Sequence, residues 1–135
     1  MQSSLNSQEL ATNWLNNIQL NTSFKALDKN GIKFNSPITD SFGDQISLLI
    51  ISNSDSSYLV TDQGYTLWNL TTHGINLKKD ANKTLHSICN SKRVDITKND
   101  ELTKSTFIKE DISQVINDVL AVILEISNLA HIKSL

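Results

Sequence analysis

The stretch from Tyr58 to Leu70 constrains the fold of this chain more than any other part of the sequence. Tyr58–Thr61 is rich in aromatic and β-branched residues, which predicts a strand. Asp62 is placed to end that strand and to cap a helix, because its carboxylate can accept from the free amides of the first turn. Gly64 lets the backbone pass a tight junction without a Cβ clash. A strand and a short helix therefore follow each other without a linker, and Gly74 is expected to close the helix as a left-handed C-cap.

The length and composition are those of a single domain with a core of its own. The chain has 135 residues, of which 39% are hydrophobic and 19% are charged. That balance is globular rather than disordered, so residues 1–135 are expected to form one domain without metals or disulfides. The formal net charge of −2 argues against a protein that coats DNA or an anionic membrane through bulk charge.

The sequence carries no signal for export or membrane insertion. Met1–Gln8 lacks the basic flank and the apolar run of a signal peptide. The most apolar stretch, Val115–Ile126, is interrupted by polar residues and is too short to span a bilayer. The single cysteine, Cys89, excludes an internal disulfide and fits a reducing compartment. We therefore expect a soluble cytoplasmic protein.

Apolar residues at helical spacing predict a helix at each end of the chain. The first helix spans residues 7–20, with Asn6 as its N-cap and Trp14 as its anchor into the core. The longest helix spans residues 110–131 and carries a wide apolar face. A further short helix begins after Asp80, which serves as its cap. The apolar face of that helix comprises Ala81, Thr84, Leu85, Ile88 and Cys89.

Short runs of apolar and β-branched residues predict the strands. The first two, Phe24–Leu27 and Ile32–Phe34, flank a turn in which Gly31 suits a left-handed conformation. Ser36-Pro37 interrupts the second strand, which indicates an edge or a bulge because proline cannot donate to a ladder. Ile46–Ile51 is a continuous apolar run, which favours a central strand covered on both faces.

The remaining strands complete the predicted sheet. Ile46–Ile51 and Tyr58–Thr61 are close in sequence and are expected to pair antiparallel. Val94–Thr97 and Leu102–Thr106 form a polar hairpin. The fold class is therefore α+β, a mostly antiparallel sheet of about six strands with an N-terminal helix, two short central helices and a long C-terminal helix. The helices are expected to pack against one side of the sheet.

Three short motifs resemble a known family. They are Ser36-Pro37-Ile38-Thr39-Asp40, Gly43-Asp44-Gln45-Ile46 and Leu59-Val60-Thr61-Asp62-Gln63-Gly64-Tyr65-Thr66-Leu67. On these motifs the chain resembles the bacterial domain-of-unknown-function family numbered 1828, which has an aromatic residue where Ile38 stands and a second acid where Gln63 stands. The resemblance implies an accessory protein, or a defence or counter-defence protein, of a bacterium or its mobile elements. It brings no established activity.

An acidic corner at the predicted strand ends is the main candidate binding site. It comprises Asp40, Asp44, Asp62, Tyr65 and Trp68. If the two central strands pair, Asp44 lies near Asp62, and paired carboxylates can hold Mg²⁺ for phosphodiester hydrolysis. Turn and capping roles explain both acids more simply, and Gln63 cannot neutralise a divalent cation. We therefore expect no catalytic residues, no metal and no cofactor here.

The other reactive side chains form no recognisable site. His73, His86 and His131 fall on three elements, whereas a zinc site needs four converging ligands. Cys89 lies on an apolar helix face, which is typical of a small core residue rather than a nucleophile. The sequence has no glycine-rich phosphate loop and no nucleophile elbow. Nothing in it requires an enzymatic activity.

A second candidate site is a basic ridge. It comprises Lys78, Lys79, Lys83, Lys92 and Arg93. Placed beside Tyr65 and Trp68, such a ridge can contact phosphates, which dominate nucleic-acid affinity. The simpler interpretation is that these side chains solvate the outer face of a short helix.

Two functions of different classes follow. The first, reached by elimination, is a small non-enzymatic interaction domain that binds a protein partner. The alternative is a nucleic-acid-binding or metal-dependent nucleic-acid-processing domain. No membrane partner is expected. The apolar positions of the C-terminal helix include Val122 besides the regular stripe. Any of them that the sheet leaves exposed would form a homodimer surface. The alternative is that the helix, which is apolar almost all round, is buried in the core of its own domain.

Overall fold

The computed structural model describes residues 4–77 and 82–130. Six antiparallel strands form one sheet in the order β1-β2-β3-β4-β6-β5. The elements are α1 (Ser7–Leu20), β1 (Ser23–Asp28), β2 (Gly31–Thr39), β3 (Gln45–Ser52), β4 (Tyr58–Thr61), α2 (Tyr65–Thr72), α3 (Asn82–Ser91), β5 (Asp95–Ile96), β6 (Leu102–Thr106) and α4 (Ile112–Ser127). The predicted α+β class is confirmed. None of the helices in the described ranges is long and apolar enough to cross a membrane.

The core lies between the sheet and α4. This helix packs against β4, β6, α2 and α3, and Val60, Leu102, Val119 and Ile126 are fully buried there. Along β3 the burial alternates, as expected for a strand with one face toward the core. We expected both faces of Ile46–Ile51 to be covered. This is correct for the face toward the core and wrong for the opposite face, where the side chains are half-buried.

Helix α1 has the predicted bounds and cap but not the predicted packing. Oδ1 of Asn6 accepts from the amides of Gln8 and Glu9 at 2.9 and 3.1 Å. Trp14 is 64% exposed, and α1 has no buried residue. The expectation that Trp14 anchors the helix in the core is wrong, because α1 leads into the edge strand β1 and lies away from the core.

The first hairpin is confirmed, with a different turn from the one predicted. Gly31 pairs with Asp28 as a strand residue and does not have a positive φ. The turn is fixed instead by Oδ1 of Asp28, which accepts from the amide of Asn30 at 2.7 Å. Of the two alternatives predicted at Ser36-Pro37, an edge or a bulge, the structure shows the second, since β2 lies between β1 and β3 and its register against β3 shifts between Asn35 and Thr39.

The C-terminal end of α2 has the predicted glycine cap. Gly74 adopts φ +84°, and its amide donates to the carbonyl of Thr71 at 3.0 Å. The next amide, that of Ile75, donates to the carbonyl of Leu70 at 3.2 Å. These two bonds satisfy carbonyls that the helix end would leave free. Asp80, the predicted cap of α3, and Ala81 lie outside the described residues.

Helix α4 is shorter than predicted and is preceded by a single 3₁₀ turn, Lys109–Asp111. Its apolar side chains are buried or half-buried against its own chain, and Val122 is 1% exposed. The exposed remainder that a homodimer through α4 would need is absent from the described part of this helix. Exposed apolar side chains occur instead near the N-terminus.

Candidate functional site

Asp62 holds the junction of β4 and α2 together. Its Oδ1 accepts from the amides of Gly64 and Leu102, both at 2.9 Å, and its Oδ2 accepts from the amide of Thr66 at 3.0 Å. The predicted capping role is thus present, and a bond to the neighbouring strand β6 is added. Asp62 is only 4% exposed, so it is a structural member of the corner rather than a group offered to a ligand.

The backbone after Asp62 turns through two left-handed residues. Gln63 has φ 59° and Gly64 has φ +83°, which is the region where glycine is tolerated and other residues are strained. The amide of Gln63 donates to Oγ1 of Thr61 at 2.9 Å, and that hydroxyl donates to Glu101 at 2.9 Å. The tight turn directs α2 so that its first residues face the start of β3.

Asp40 and Asp44 lie in the loop between β2 and β3 and have different roles. Oδ1 of Asp40 accepts from the amides of Phe42 and Asp44 at 2.9 and 3.0 Å, so Asp40 shapes the loop. Oδ2 of Asp44 accepts from the hydroxyl of Tyr65 at 2.7 Å. That hydrogen bond, with burial and the charges of Asp44 and Asp40, raises the pKa of Tyr65 to about 12.

Two aromatic rings stand beside Asp44 on the exposed side of α2. Tyr65 and Trp68 are three positions apart on the helix, and their ring centroids are 5.8 Å apart at an interplanar angle of 43°. Trp68 is 60% exposed and Tyr65 is 42% exposed. The opposite side of α2 is buried in the core. The helix thus presents an aromatic surface that the core does not use.

These groups border an open cleft of about 840 Å³. Its lining comprises Lys33, Asp44, Gln45, Ser47, Asp62, Gln63, Gly64, Tyr65, Trp68 and Asn99. Four of the five residues predicted for the acidic corner therefore meet around one space, whereas Asp40 lies behind it in the loop. We call this space the corner cleft.

Sequence reasoning missed Lys33 and Asn99 as members of the corner cleft. Lys33 of β2 pairs with Leu49 of β3, and Leu49 pairs with Thr61 of β4. This register places Lys33 level with Thr61, the last residue of β4, which directly precedes Asp62. The alternation of Ile32 and Phe34 was a signal that Lys33 points away from the core. Asn99 lies in the β5–β6 turn, and only the pairing of β6 with β4 brings that turn to the cleft.

The histidines and Cys89 stay apart from the corner cleft. His73 stacks on Phe42 with ring centroids 3.9 Å apart, and its Nδ1 lies 2.8 Å from the carbonyl of Asn69. His86 lines a separate cavity under α3 of about 510 Å³, and His131 is outside the described residues. Among residues 4–77 and 82–130, no group of three His, Cys, Asp or Glu side chains could hold a metal ion.

Part of the predicted basic ridge can be placed. Lys83, Lys92 and Arg93 are exposed, whereas Lys78 and Lys79 lie outside the described residues. Nζ of Lys104 donates to the carbonyl of Lys92 and to Asp118, both at 2.7 Å. Lys104 and Asp118 therefore lie near one end of the ridge as a pair of opposite charges, which leaves the net charge of the ridge unchanged.

Comparison with known proteins identifies the family of this fold. The family model described as "Domain of unknown function DUF1828" matches residues 36–126, which is more than half of the chain. The match runs from the bulge of β2 to the end of α4 and includes every lining residue of the corner cleft except Lys33. Neither the curated proteins nor the solved structures gave a match. The chain therefore belongs to the DUF1828 family.

Proposed function

We propose that this protein is a small non-enzymatic interaction domain that binds a basic segment of a protein partner in the corner cleft. The observation that carries the proposal is the position of Trp68 and Tyr65 beside the carboxylate of Asp44. Tryptophan and tyrosine are the residues that most often dominate the energy of protein interfaces. Here both are exposed at the mouth of a cleft and contribute little to the core.

The charge of the cleft favours a basic side chain of the partner. Oδ2 of Asp44 accepts from Tyr65, and within the described residues Asp44 forms no ion pair. An arginine or lysine that enters the cleft can bind this carboxylate and lie over the ring of Trp68, which attracts cations through its π face. Lys33 and the amide of Asn99 also line the cleft and can donate to carbonyl oxygens of the bound segment.

Affinity capture from a nuclease-treated lysate of the native host tests this proposal. The wild-type domain is compared with Trp68→Ala and Asp44→Ala, and Phe107→Ala is the matched control because Phe107 is 71% exposed and lies outside the cleft. We expect one protein to be retained by the wild type and by the Phe107 variant and to be lost with both cleft variants. Retention by all four proteins would refute binding at the cleft.

A direct measurement uses three synthetic peptides that differ only in a central arginine, lysine or glutamate. Fluorescence of Trp68 reports on binding, with Trp14→Phe removing the second tryptophan of the chain. We expect the arginine peptide to bind at least tenfold more tightly than the glutamate peptide, and Asp44→Ala to remove the difference. Equal affinity of all three peptides would contradict a role for Asp44.

The second candidate function, a nucleic-acid-binding or metal-dependent nucleic-acid-processing domain, is favoured by the position of Lys33. A lysine beside Asp44 and Asp62 is a combination that can orient a phosphodiester and hold a divalent cation. Against it, Asp62 already accepts three amides and Asp44 accepts from Tyr65. Under our first proposal, Mg²⁺ or Mn²⁺ gives no saturable rise in melting temperature. A rise that disappears in Asp44→Ala would favour this second function.

The basic ridge is tested separately with short duplex DNA and single-stranded RNA as probes. If the ridge binds nucleic acid, affinity falls steeply with salt, and changing Lys78, Lys79 and Arg93 together to alanine abolishes it. Under the first proposal neither probe binds. A cytoplasmic location and an accessory or defence role in a bacterium or its mobile elements also belong to our proposal. The absence of any second cysteine in the sequence, which fits a reducing compartment, supports the cytoplasmic location.

A further inference from the structure

We infer that two copies of this chain associate through a surface formed by α1 and the first hairpin, which we call the N-terminal face. Eight large apolar side chains between residues 5 and 32 are exposed. They are Leu5, Leu10, Trp14, Leu15, Leu20, Phe24, Leu27 and Ile32. The face lies almost entirely before residue 36, where the match to the family model begins, and it does not include the corner cleft.

Helix α1 needs a covering surface that residues 4–77 and 82–130 do not supply. The helix has 14 residues and none of them is buried. Helices of this length are marginal in water, and most of their stability in proteins comes from packing of an apolar face. The stripe of Leu10, Trp14 and Ile18 is such a face, and only a shallow hollow lined by Leu15, Ile18 and Phe24 joins it to β1.

Strand β1 adds a free backbone edge to the same end of the molecule. It lies at the end of the sheet, pairs with β2 and with no other strand of the described ranges, and all six of its residues are exposed. The strand contains no proline, and an exposed edge of this kind is a template for another strand. Phe24 contacts Phe34 with ring centroids 4.9 Å apart, so the edge is also held in a strand conformation before any partner binds.

The charge of the N-terminal face fits a second copy better than a different protein. Glu9 is the only charged residue of α1, and outside the corner cleft the first hairpin adds Asp28 against Lys25 and Lys29. A face dominated by one sign of charge would repel its own copy and select an oppositely charged partner. This face is nearly neutral, so two copies meet without that repulsion. A twofold axis then places α1 and β1 of each copy against the same elements of the other.

The exposed area is sufficient for a stable dimer. Eight large apolar side chains, which are between 39% and 85% exposed, offer roughly 100 Å² apiece, or about 800 Å² per copy. Two such surfaces together bury about 1,600 Å², which is the usual size of a specific interface. Another protein, or a further segment of a longer chain, would use the same area, and the experiment below distinguishes these occupants.

Sedimentation velocity of the purified chain from 1 to 200 μM tests the inference. We expect a dimer at the upper concentrations, and a shift to monomer in Trp14→Glu with an unchanged circular dichroism spectrum. Trp68→Ala is the matched control, because it removes an equally exposed tryptophan outside the N-terminal face and should leave the dimer intact. A monomer at every concentration, or a dimer that persists in Trp14→Glu, would overturn the inference.

Hydrogen exchange of the wild-type chain gives a readout that does not depend on a variant folding. If two copies cover the N-terminal face, protection of the amides in α1 and β1 rises with protein concentration, while that of α4 does not. Protection that is independent of concentration would mean that the chain covers this face by itself or that another protein is its partner, and either result refutes the second copy.

Discussion

The hydroxyl of Tyr65 donates a 2.7 Å hydrogen bond to Oδ2 of Asp44, a residue 21 positions earlier in the chain. The bond joins the loop before β3 to the first residue of α2 across the mouth of the corner cleft. Because Trp68 is on the same side of α2 as Tyr65, the bond also fixes where the tryptophan ring stands. The cleft is thus partly formed in the unbound chain, and under the proposed function this lowers the ordering entropy that binding must overcome.

The pKa of Tyr65 provides a direct test of that bond. The hydrogen bond to Asp44 raises the pKa of Tyr65 to about 12, so in alkaline solution the unfolded chain loses this proton before the folded chain does. The contribution to stability is complete below the ordinary tyrosine pKa near 10 and is lost as the pH rises through 12. Ring-carbon NMR of Tyr65 should show a midpoint near 12, and Asp44→Ala should move it toward 10. An unchanged midpoint in the variant would mean that Asp44 is not the cause.

Replacement of Asp62 should destabilise the fold more than loss of an ordinary helix cap. In Asp62→Ala three amides lose their acceptor, two of them in bonds that are buried. An unsatisfied buried donor costs about 1–3 kcal/mol, so the free energy of unfolding should fall by roughly 3 kcal/mol. Urea denaturation measures the change.

Two controls accompany this measurement. Asp62→Asn keeps one acceptor oxygen and should lose about 1 kcal/mol. Asn6→Ala removes a cap of the same kind from α1, where the freed amides of Gln8 and Glu9 are exposed to water, and should cost less than about 1 kcal/mol. Equal effects of Asp62→Ala and Asn6→Ala would show that the bond from β6 to Asp62 contributes nothing.

The ion pair of Lys104 with Asp118 should make stability depend on acid pH. Burial acts to raise the pKa of Asp118, but hydrogen bonds from Lys104 and Gln114 outweigh it, so the pKa is lowered. The stabilisation is therefore present above the unfolded carboxyl pKa of about 4 and is lost as the pH falls through the lower folded value. Urea midpoints at pH 7 and pH 3 should differ less in Asp118→Asn than in the wild type. An identical pH dependence would exclude Asp118 as a contributor.

Cys89 should be unreactive while the chain is folded. The thiol is 1% exposed, and burial, with smaller contributions from Asp62 and Asp95, raises its pKa to about 11. Because the thiolate is the reactive form, a colorimetric thiol reagent at pH 8 should label the native protein slowly. In denaturant it should label one equivalent at once. Rapid stoichiometric labelling of the native protein would contradict the buried position.

Local sequence patterns predicted much of this structure, for physical reasons that can be named. The start of α1 follows from the side chain of Asn6, which accepts from the free amides of the first turn. The end of α2 follows from Gly74, which adopts a left-handed φ without strain. The role of Asp62 as an acceptor for the next turn was also predicted. Each of these features depends on residues within a few positions of one another, so a single sequence is sufficient to read them.

The errors occur where a distant part of the chain decides the outcome. Helical spacing predicts that Trp14 lies on an apolar face but does not reveal whether anything covers that face. The third amide on Asp62 comes from Leu102, 40 residues later, because β6 rather than β5 pairs with β4. Lys33 reaches the corner cleft through the register of three strands, which short motifs do not determine.

The last strand in the sheet order limits how many copies can assemble. Strand β5 has two residues, Asp95 and Ile96, which pair with Thr103 and Leu102, so the outermost strand at that end of the sheet is much shorter than β1. A filament needs two open edges on every molecule, one to receive a neighbour and one to extend it. Among the described residues the longer outermost strand is β1, and a pair of copies joined there uses that strand of each copy. If two copies join at β1 as inferred, the unequal lengths of the two outermost strands favour an assembly that stops at two.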